Sequence, residues 1–233
     1  MASMRLSIII PCYNEQSSIK KLINDCIENI NEEVEVLLVD NGSNDNTYEA
    51  LLSLSLPKNI IPYRIEKNIG YGNGILYGLK KAKGEILAWT HADLQTDISD
   101  VIRGFNLYEM ELNKKTCIVK GERKNRNIID SFFTFSMGVY SSVLLGKWLY
   151  DINAQPKIFH RSFLKEFKNP PLDFSLDLYF LYFFISKQIE IKTFPVFFKK
   201  RLYGEAKGGG TFKGKLRLIK RTLSYIHLLK KTL

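Results

Sequence analysis

The sequence predicts an α/β protein built on a single mixed, mostly parallel sheet flanked by helices. Short apolar runs alternate with segments whose apolar residues recur at helical spacing. Several of these runs end in polar or glycine-rich loops, and a hydrophobic content of 45% allows a sizeable core. Such alternation is typical of β-α-β units, whose right-handed crossovers bring the carboxyl ends of parallel strands to one rim of the sheet.

The first hundred residues alternate between strand and helix. Strands are expected where β-branched and apolar residues run together, and helices where apolar residues recur every three or four positions after a capping residue or turn. The expected strands are Arg5 to Ile10, Val34 to Val39, Ile60 to Ile65 and Glu85 to Thr90, and the expected helices are Ser17 or Ser18 to Ile30, Thr47 to Leu54 and Ile75 to Ala82. The loops that begin at Pro11, Asp40, Asn68 and His91 would therefore share one rim.

The second half is less regular. It is expected to contain helices at Ile98 to Leu112, Ser131 to Tyr150 and Asp173 to Ser186, strands at Cys117 to Gly121 and Ile189 to Val196, and extended chain from Asp151 to Phe159. The helix that begins at Asp173 is aromatic nearly all round, which is typical of a buried or bilayer-facing helix. We expect residues 4–212 to form one domain and residues 213–233 a basic amphipathic helix.

Composition limits the class of partner. The formal net charge of +10 on 233 residues predicts an anionic partner, which could be a phosphorylated ligand, an acidic membrane or nucleic acid. Three well-separated cysteines, Cys12, Cys26 and Cys117, argue against a disulfide framework and a zinc site and favour a reducing compartment. The apolar run before Pro11 is too short for a signal peptide, and no stretch reaches the ~20 apolar residues of a membrane span.

The stretch from His91 to Asp97 carries the most chemical information. Asp93 and Gln95 follow a short apolar strand and supply two oxygen ligands of the kind that Mg²⁺ or Mn²⁺ prefers. A hard cation at the end of a strand in an α/β sheet commonly holds a diphosphate, because ligands bind at that edge. The alternative is that Asp93 and Asp97 simply cap the helix that follows.

Two other loops on the expected rim are ambiguous on their own. Gly70, Gly72 and Gly74 do not form a G-x-G-x-x-G motif and follow the third strand instead of the first, which argues against a dinucleotide fold, and no P-loop motif is present. Asp40 could accept hydrogen bonds from a ribose or a nucleobase, although the Asn-Gly-Ser after it also reads as a plain turn.

Four motifs in order resemble the family-2 glycosyltransferases. They are Ser7-Ile-Ile-Ile-Pro-Cys-Tyr-Asn-Glu15, Val39-Asp-Asn-Gly-Ser-Asn-Asp-Asn-Thr47, Asn68-Ile-Gly-Tyr-Gly72 and His91-Ala-Asp-Leu-Gln95. The likeness is greatest to the branch of dolichyl-phosphate mannose synthase and polyprenyl-phosphate glycosyltransferases, and is strong over residues 5–125. It implies a GT-A fold, a nucleotide-sugar donor, a divalent metal ion and inversion at the anomeric carbon.

The resemblance also implies roles for individual residues. Donor-binding positions would be Pro11, Tyr13, Glu15, Asp40, Asn68, Gly70, Gly72, Ala92, Arg201 and Lys207. Acceptor-binding positions would be Arg123 and Arg126, and the metal ligands would be Asp93 and Gln95, with His91 as a further candidate. His91 stands where the family often has a first aspartate, and Asn127 stands about where the lipid-phosphate branch tends to have another arginine.

The type of acceptor decides which catalytic groups are needed. Polyprenyl phosphate is already an anion and needs no general base, whereas a saccharide hydroxyl needs one. Asp173 and Asp177 are four residues apart and are expected to share one face of the aromatic helix, although Asp173 could simply cap it. Asp177 is the candidate base, because a lone carboxylate in an aromatic helix would be costly to bury. With a lipid acceptor, the uncharged helix from Ser131 and the basic tail would lie at the cytoplasmic face of a membrane. A basic nucleic-acid-binding protein is a distant alternative without a recognition motif.

Overall fold

The computed structural model of the protein describes residues 4–125, 128–199 and 212–231. Within these residues, seven strands form one sheet in the order β3-β2-β1-β4-β6-β5-β7. The strands are β1 Leu6–Cys12, β2 Val34–Asn41, β3 Ile60–Ile65, β4 Ile86–Trp89, β5 Cys117–Lys124, β6 Lys157–His160 and β7 Glu190–Phe197. The helices are α1 Ile19–Asn29, α2 Thr47–Leu52, α3 Tyr71–Lys81, α4 Ile98–Asn113, α5 Ile128–Leu145, α6 Leu176–Ser186 and α7 Phe212–Lys231, with a 3₁₀-helix at Arg161–Glu166.

Strand direction brings most strand ends to one rim. The neighbouring strands β3, β2, β1 and β4 are parallel, with Cys12 opposite Asp40 and Ile9 opposite Trp89. β6 is antiparallel to both β4 and β5, and β7 is parallel to β5. The carboxyl ends of β5 and β7 therefore lie at the same edge as those of the first four strands. The predicted mixed, mostly parallel sheet is confirmed.

The helices cover both faces of the sheet. On one face α1, α2 and α4 bury a core with alternate residues of β1, such as Ile8 and Ile10. On the other face α3, α6 and parts of α5 and α7 bury Ile9 together with Trp89 and the aromatic side chains of α6. The period-two alternation in β1 is what divides its apolar residues between the two cores. Among the described helices none is long and apolar enough to cross a membrane.

Helix α3 begins earlier than expected, at Tyr71 instead of Ile75. Gly72 and Gly74 therefore lie in its first turn, and of the three glycines only Gly70, with φ 142°, precedes the helix in a left-handed conformation. A Cβ atom on Gly72 would lie 2.6 Å from the carbonyl oxygen of Pro171, which is closer than atoms can approach. The prediction of a glycine loop through Gly72 was wrong, because that glycine serves a close contact with a distant segment.

Other expected boundaries also shift. β5 continues through Arg123 to Lys124, so Arg123 lies in a strand and not in a loop. α6 begins at Leu176, three residues after Asp173. The prediction that Asp173 and Asp177 share a helix face was wrong. Instead, Asp173 precedes the helix and its side chain accepts a hydrogen bond from the backbone N–H of Ser175 (2.9 Å).

Candidate active site

Hydrogen bonds join the loops that follow β1, β2 and β3. The backbone N–H of Asn14 donates to Ser43 Oγ (2.9 Å), and Asn14 Oδ1 accepts from the backbone of Asn44 (2.8 Å). Asn41 Nδ2 donates to the carbonyl of Gly70 (2.8 Å). The loops after β1, β2 and β3 therefore meet at one rim, as the sequence predicted.

Asp40 lies at this rim and is fully buried. Its Oδ1 accepts a hydrogen bond from the backbone N–H of Ser43 (3.1 Å). Its Oδ2 has no hydrogen-bond partner in the described structure, and Arg64 Nε lies 3.6 Å away. Because a buried acceptor without a donor is unfavourable, this oxygen is suited to receive an N–H or O–H group from a ligand.

The predicted donor-binding residues at the end of β1 differ in what they contact. Pro11 is the penultimate residue of β1, and Tyr13 accepts a 3.4 Å hydrogen bond from Asn44 Nδ2 on its hydroxyl. Glu15 is buried, and its Oε2 accepts a hydrogen bond from Ser18 Oγ (3.1 Å) at the start of α1. Glu15 thus has a local structural partner in addition to its predicted role.

Asn68 and Gly70 form the turn that leads into α3. Asn68 Oδ1 accepts a hydrogen bond from the backbone N–H of Gly70 (2.9 Å). A Cβ atom on Gly70 would lie 2.2 Å from the carbonyl oxygen of Leu172. The same carbonyl accepts a hydrogen bond from the backbone N–H of Asn73 (2.9 Å). The segment before α6 is therefore held directly over the start of α3.

The two aspartates in the loop after β4, Asp93 and Asp97, make different contacts. Asp97 caps α4 by accepting from the backbone N–H of Ser99 (3.0 Å), and it pairs with Lys199 Nζ (2.8 Å). Asp93 does not cap α4, and its Oδ1 accepts from the backbone N–H of Gln95 (3.1 Å). The capping alternative is therefore correct for Asp97 and wrong for Asp93.

The predicted metal ligand Gln95 faces the end of β7. Its Nε2 donates to the carbonyl of Lys199 (3.3 Å), and its own carbonyl accepts from the backbone N–H of Lys199 (2.9 Å). Ala92 is buried between His91 and Asp93. The loop after β4 is thus attached to the chain that leaves β7.

His91 is held beside an aromatic pair. Its ring centroid lies 5.7 Å from that of Tyr71, which in turn stacks on Phe174 at 4.7 Å. Burial lowers the pKa of His91 in spite of the nearby Asp93 and Asp177 carboxylates, which favours the neutral imidazole. A neutral imidazole has one nitrogen lone pair that can ligate a metal ion.

Beneath the rim lies a buried ion pair that the sequence did not reveal. Lys157 Nζ donates to Asp177 Oδ1 (2.7 Å) and to the carbonyls of Ile152 (2.9 Å) and Ala154 (3.1 Å). Gln155 Nε2 also donates to Asp177 Oδ1 (3.0 Å). The prediction of a lone carboxylate was wrong, because its cation comes from a strand twenty residues earlier in the chain.

A second buried pair holds Arg123. Its Nε donates to Asp151 Oδ1 (2.9 Å), its Nη2 also contacts that oxygen, and its backbone N–H donates to Asp151 Oδ2 (3.0 Å). Burial opposes the charge of Asp151, but Arg123 outweighs burial and keeps the pKa of the Asp151 carboxyl below its ordinary value. The predicted acceptor residue Arg123 is thus already engaged by a carboxylate.

Lys120 is the third buried cation of this region. Its Nζ lies 3.2 Å from the carbonyl oxygen of Asp151, and burial lowers its pKa to about 8. Sequence reasoning missed Lys120, Gln155, Asp151 and Lys157, since no motif or spacing marks them. Arg126, Arg201 and Lys207, which the resemblance implies as acceptor and donor contacts, lie outside the described residues.

The residues at the rim fit a metal ion that is shared with a ligand. In the described part of the chain, no group of three or more histidine, cysteine, aspartate or glutamate side chains could hold a metal ion. Mg²⁺ is commonly bound by one or two carboxylates together with substrate phosphates. Asp93, with the imidazole of His91 near it, meets that requirement once a ligand contributes phosphate oxygens.

Comparison with known proteins gives the family. Residues 7–137 match the model of Glycosyl transferase family 2. The chain belongs to this family. The uncharacterized glycosyltransferase YkoT of Bacillus subtilis (strain 168) is 32% identical over 181 residues, which is 71% of this chain and 52% of YkoT. The chain therefore spans about half the length of this curated relative.

Solved structures share the fold. Glucosyl-3-phosphoglycerate synthase from Mycobacterium tuberculosis, in complex with Mn²⁺, UDP and glucosyl-3-phosphoglycerate, superposes with a TM-score of 0.73 at 14% identity, covering 97% of this chain and 80% of that one. The same enzyme with Mn²⁺, UDP-glucose and phosphoglyceric acid gives a TM-score of 0.75 at 13% identity, covering 97% and 79%. The expected GT-A fold is confirmed.

Proposed function

We propose that the protein is a glycosyltransferase that moves a hexose from a UDP- or GDP-sugar to polyprenyl phosphate, with inversion at the anomeric carbon. The observation that carries the proposal is the shared rim, where the buried Asp40 carboxylate and the Asp93 loop lie at the ends of β2 and β4, the two strands that flank β1 and run parallel to it. In this proposal the protein acts at the cytoplasmic face of a membrane and belongs to the dolichyl-phosphate mannose synthase and polyprenyl-phosphate glycosyltransferase branch of the family.

The donor side of the reaction follows from the chemistry of the rim. Asp40 Oδ2 would accept a hydrogen bond from the base or ribose, and Asp93 and Gln95, with His91 as a further candidate, would hold Mg²⁺ or Mn²⁺ against the diphosphate. When bound, the metal ion neutralises the charge that develops on the departing nucleoside diphosphate. The complexes of the mycobacterial synthase with Mn²⁺ and UDP on the same fold support this choice of ligands.

The acceptor side favours an anion over a hydroxyl. Asp177 accepts hydrogen bonds from Lys157 and Gln155, so its carboxylate is already engaged by two donors of the protein. A phosphate acceptor needs no base, so the reaction can proceed without Asp177 accepting a proton. The charges of Lys120, Arg123 and Lys157 exceed those of Asp151 and Asp177 by one, which also favours an anionic acceptor.

Product analysis tests the proposal. The protein is incubated with UDP- and GDP-hexoses and Mn²⁺, and with polyprenyl phosphate, phosphoglyceric acid or an oligosaccharide as acceptor. We expect transfer to polyprenyl phosphate, and a product whose anomeric configuration, read by NMR, is opposite to that of the donor. Transfer to the oligosaccharide alone would contradict the acceptor assignment, and retention of configuration would contradict the inverting mechanism.

A further inference from the structure

Helix α5 turns an apolar face to the outside of the molecule. Its side chains Phe135, Tyr140 and Val143 are exposed, Val143 to 75%, while Ser141 and Leu145 point inward. At 100° per residue, Tyr140 and Val143 share one side of the helix, opposite Leu145. No charged residue occurs from Ser131 to Gly146. An uncharged, exposed helix face of this size is unusual for a surface that faces only water.

The turn after α5 extends this face. The backbone N–H of Leu149 donates to Ser142 Oγ (2.8 Å), so the chain folds back along the helix and buries Leu149. Trp148 is left 67% exposed at the same end of α5. We call Tyr140, Val143 and Trp148 the α5 apolar face. Tryptophan and tyrosine are the side chains that settle at the boundary between lipid and water.

Cations flank the α5 apolar face. Helix α7 packs against α5 and contains seven lysine and arginine residues and no acidic residue. Its exposed side chains include Lys220 and Arg221, of which Arg221 Nε lies 3.3 Å from Asp173 Oδ2. Apolar and aromatic side chains beside a dense positive charge are complementary to an anionic membrane surface.

Several described apolar side chains of helix α7 pack against the domain and are not free to contact a membrane. Ile226 is fully buried, and Leu223, Tyr225 and Leu229 pack against the same core as α6. Burial raises the pKa of the Tyr225 hydroxyl well above its ordinary value, in keeping with this packing. In the described part of α7, Leu223, Ile226 and Leu229 therefore pack on the domain while Leu228 is exposed, and the exposed Lys220 and Arg221 offer charge to a membrane.

We infer that the α5 apolar face is the surface by which the protein docks on an anionic lipid bilayer. The side chains of α5 and Trp148 enter the headgroup region, and the cations of α7 meet lipid phosphates, at about 1 kcal/mol for each basic residue near the surface. A second copy of the chain is a poorer occupant, because a symmetric contact would bring two copies of the basic α7 close together. The inference rests on the proposed function in that the lipid-phosphate acceptor would lie in that bilayer.

Vesicle flotation tests this surface without donor or acceptor. Wild type is compared with Val143→Glu and Trp148→Ala on vesicles of phosphatidylcholine with and without phosphatidylglycerol. The matched control is Met110→Glu, since Met110 is 70% exposed on α4, which covers the opposite face of the sheet. We expect wild type and Met110→Glu to float with the anionic vesicles, and each α5 variant to bind about tenfold less.

Three results would overturn the inference. One is equal flotation of wild type and both α5 variants, and another is the absence of wild-type binding to anionic vesicles. The third is a wild-type dimer in sedimentation velocity that Val143→Glu dissociates, which would assign the face to a second copy. Nucleotide-sugar binding by the same preparations, measured by thermal shift, separates these failures from a failure of the proposed function.

Discussion

The two halves of the rim are held together in different ways. At the ends of β1, β2 and β3, most hydrogen bonds between the loops join backbone groups and uncharged side chains, such as Asn14 with Ser43, and the Asp45 carboxylate accepts one from the backbone N–H of Gln16 (3.3 Å). At the ends of β5 and β6, two buried ion pairs, Arg123–Asp151 and Lys157–Asp177, fill the corresponding space. The first half is suited to a ligand with many hydrogen-bonding groups. In the second half the two pairs cancel in charge, and the buried Lys120 beside Asp151 makes the net charge of these five side chains positive.

The largest effect that we expect is a loss of folding stability when the Lys157–Asp177 pair in the charged half of the rim is broken. Lys157→Met leaves Asp177 buried without its cation, and breaking a buried pair in this way costs about 3–5 kcal/mol. The double variant Lys157→Met/Asp177→Leu removes both charges and should recover most of that stability. Urea denaturation measures both variants. A single variant that loses less than about 1 kcal/mol would show that the pair does not support this half of the rim.

The pair also bears on the chemistry of transfer. If Asp177 acts only by positioning, its Asn variant should lower turnover together with stability and leave the pH profile of kcat unchanged. Disappearance of an ionisation from that profile, with the fold intact by circular dichroism, would instead identify Asp177 as a general base and favour a hydroxyl acceptor.

The next largest effect is on catalysis at the loop after β4. Asp93→Ala should lower the rate of sugar transfer by about a hundred- to a thousandfold, since it removes a ligand of the metal ion that stabilises the leaving group. Asp97→Asn is the matched control in the same loop, because asparagine keeps the cap on α4. The assignment of Asp93 to the metal would be wrong if both variants turned over at the wild-type rate.

A smaller effect is expected on the pH dependence of folding stability, through the buried Lys120. Its pKa of about 8 in the folded protein lies below that of an unfolded lysine, near 10.4. Between these values the unfolded chain binds more protons, so Lys120 adds stability as the pH rises from 8 to 10, on the order of 2 kcal/mol. Lys120→Met lacks this contribution.

The measurement is the difference in Tm between wild type and Lys120→Met at pH 8 and pH 10. Burial also raises the pKa of the three cysteines, which lowers the stability of the folded protein as the pH rises through the same window. Because both proteins contain these cysteines, taking the difference in Tm removes their contribution. The Tm of wild type should rise relative to that of Lys120→Met between pH 8 and pH 10. A constant difference would mean that Lys120 keeps an ordinary pKa.

The smallest effect is expected in the hydrogen-bonded half. Asp40→Asn keeps the shape of the side chain and one acceptor oxygen, but it replaces the other oxygen with a donor. We expect the Kd of the nucleotide sugar to rise about tenfold, with little change in kcat, because the base does not react. Isothermal titration calorimetry measures the Kd, and an unchanged value would place the base elsewhere.

Sequence reasoning succeeded where the determinants are local. It predicted the alternation of strands and helices, and it placed Asp40 at the end of β2 and Asp93 after β4, because each of these depends on a few consecutive residues. It failed at Gly72, which is needed for a carbonyl about a hundred residues away, and at Asp177, whose partner Lys157 lies on another element. The charged half of the rim depends on such distant pairs, which one sequence without aligned relatives does not reveal.

The most direct test of the central claim is a thermal-shift panel of UDP, GDP and their hexose derivatives, with and without Mn²⁺, on wild type and Asp93→Ala. A ligand that binds only the folded state raises the Tm. We predict that a nucleotide sugar raises the wild-type Tm only when Mn²⁺ is present, and that Asp93→Ala abolishes this rise. No rise with any nucleotide, or the same rise in Asp93→Ala, would contradict it.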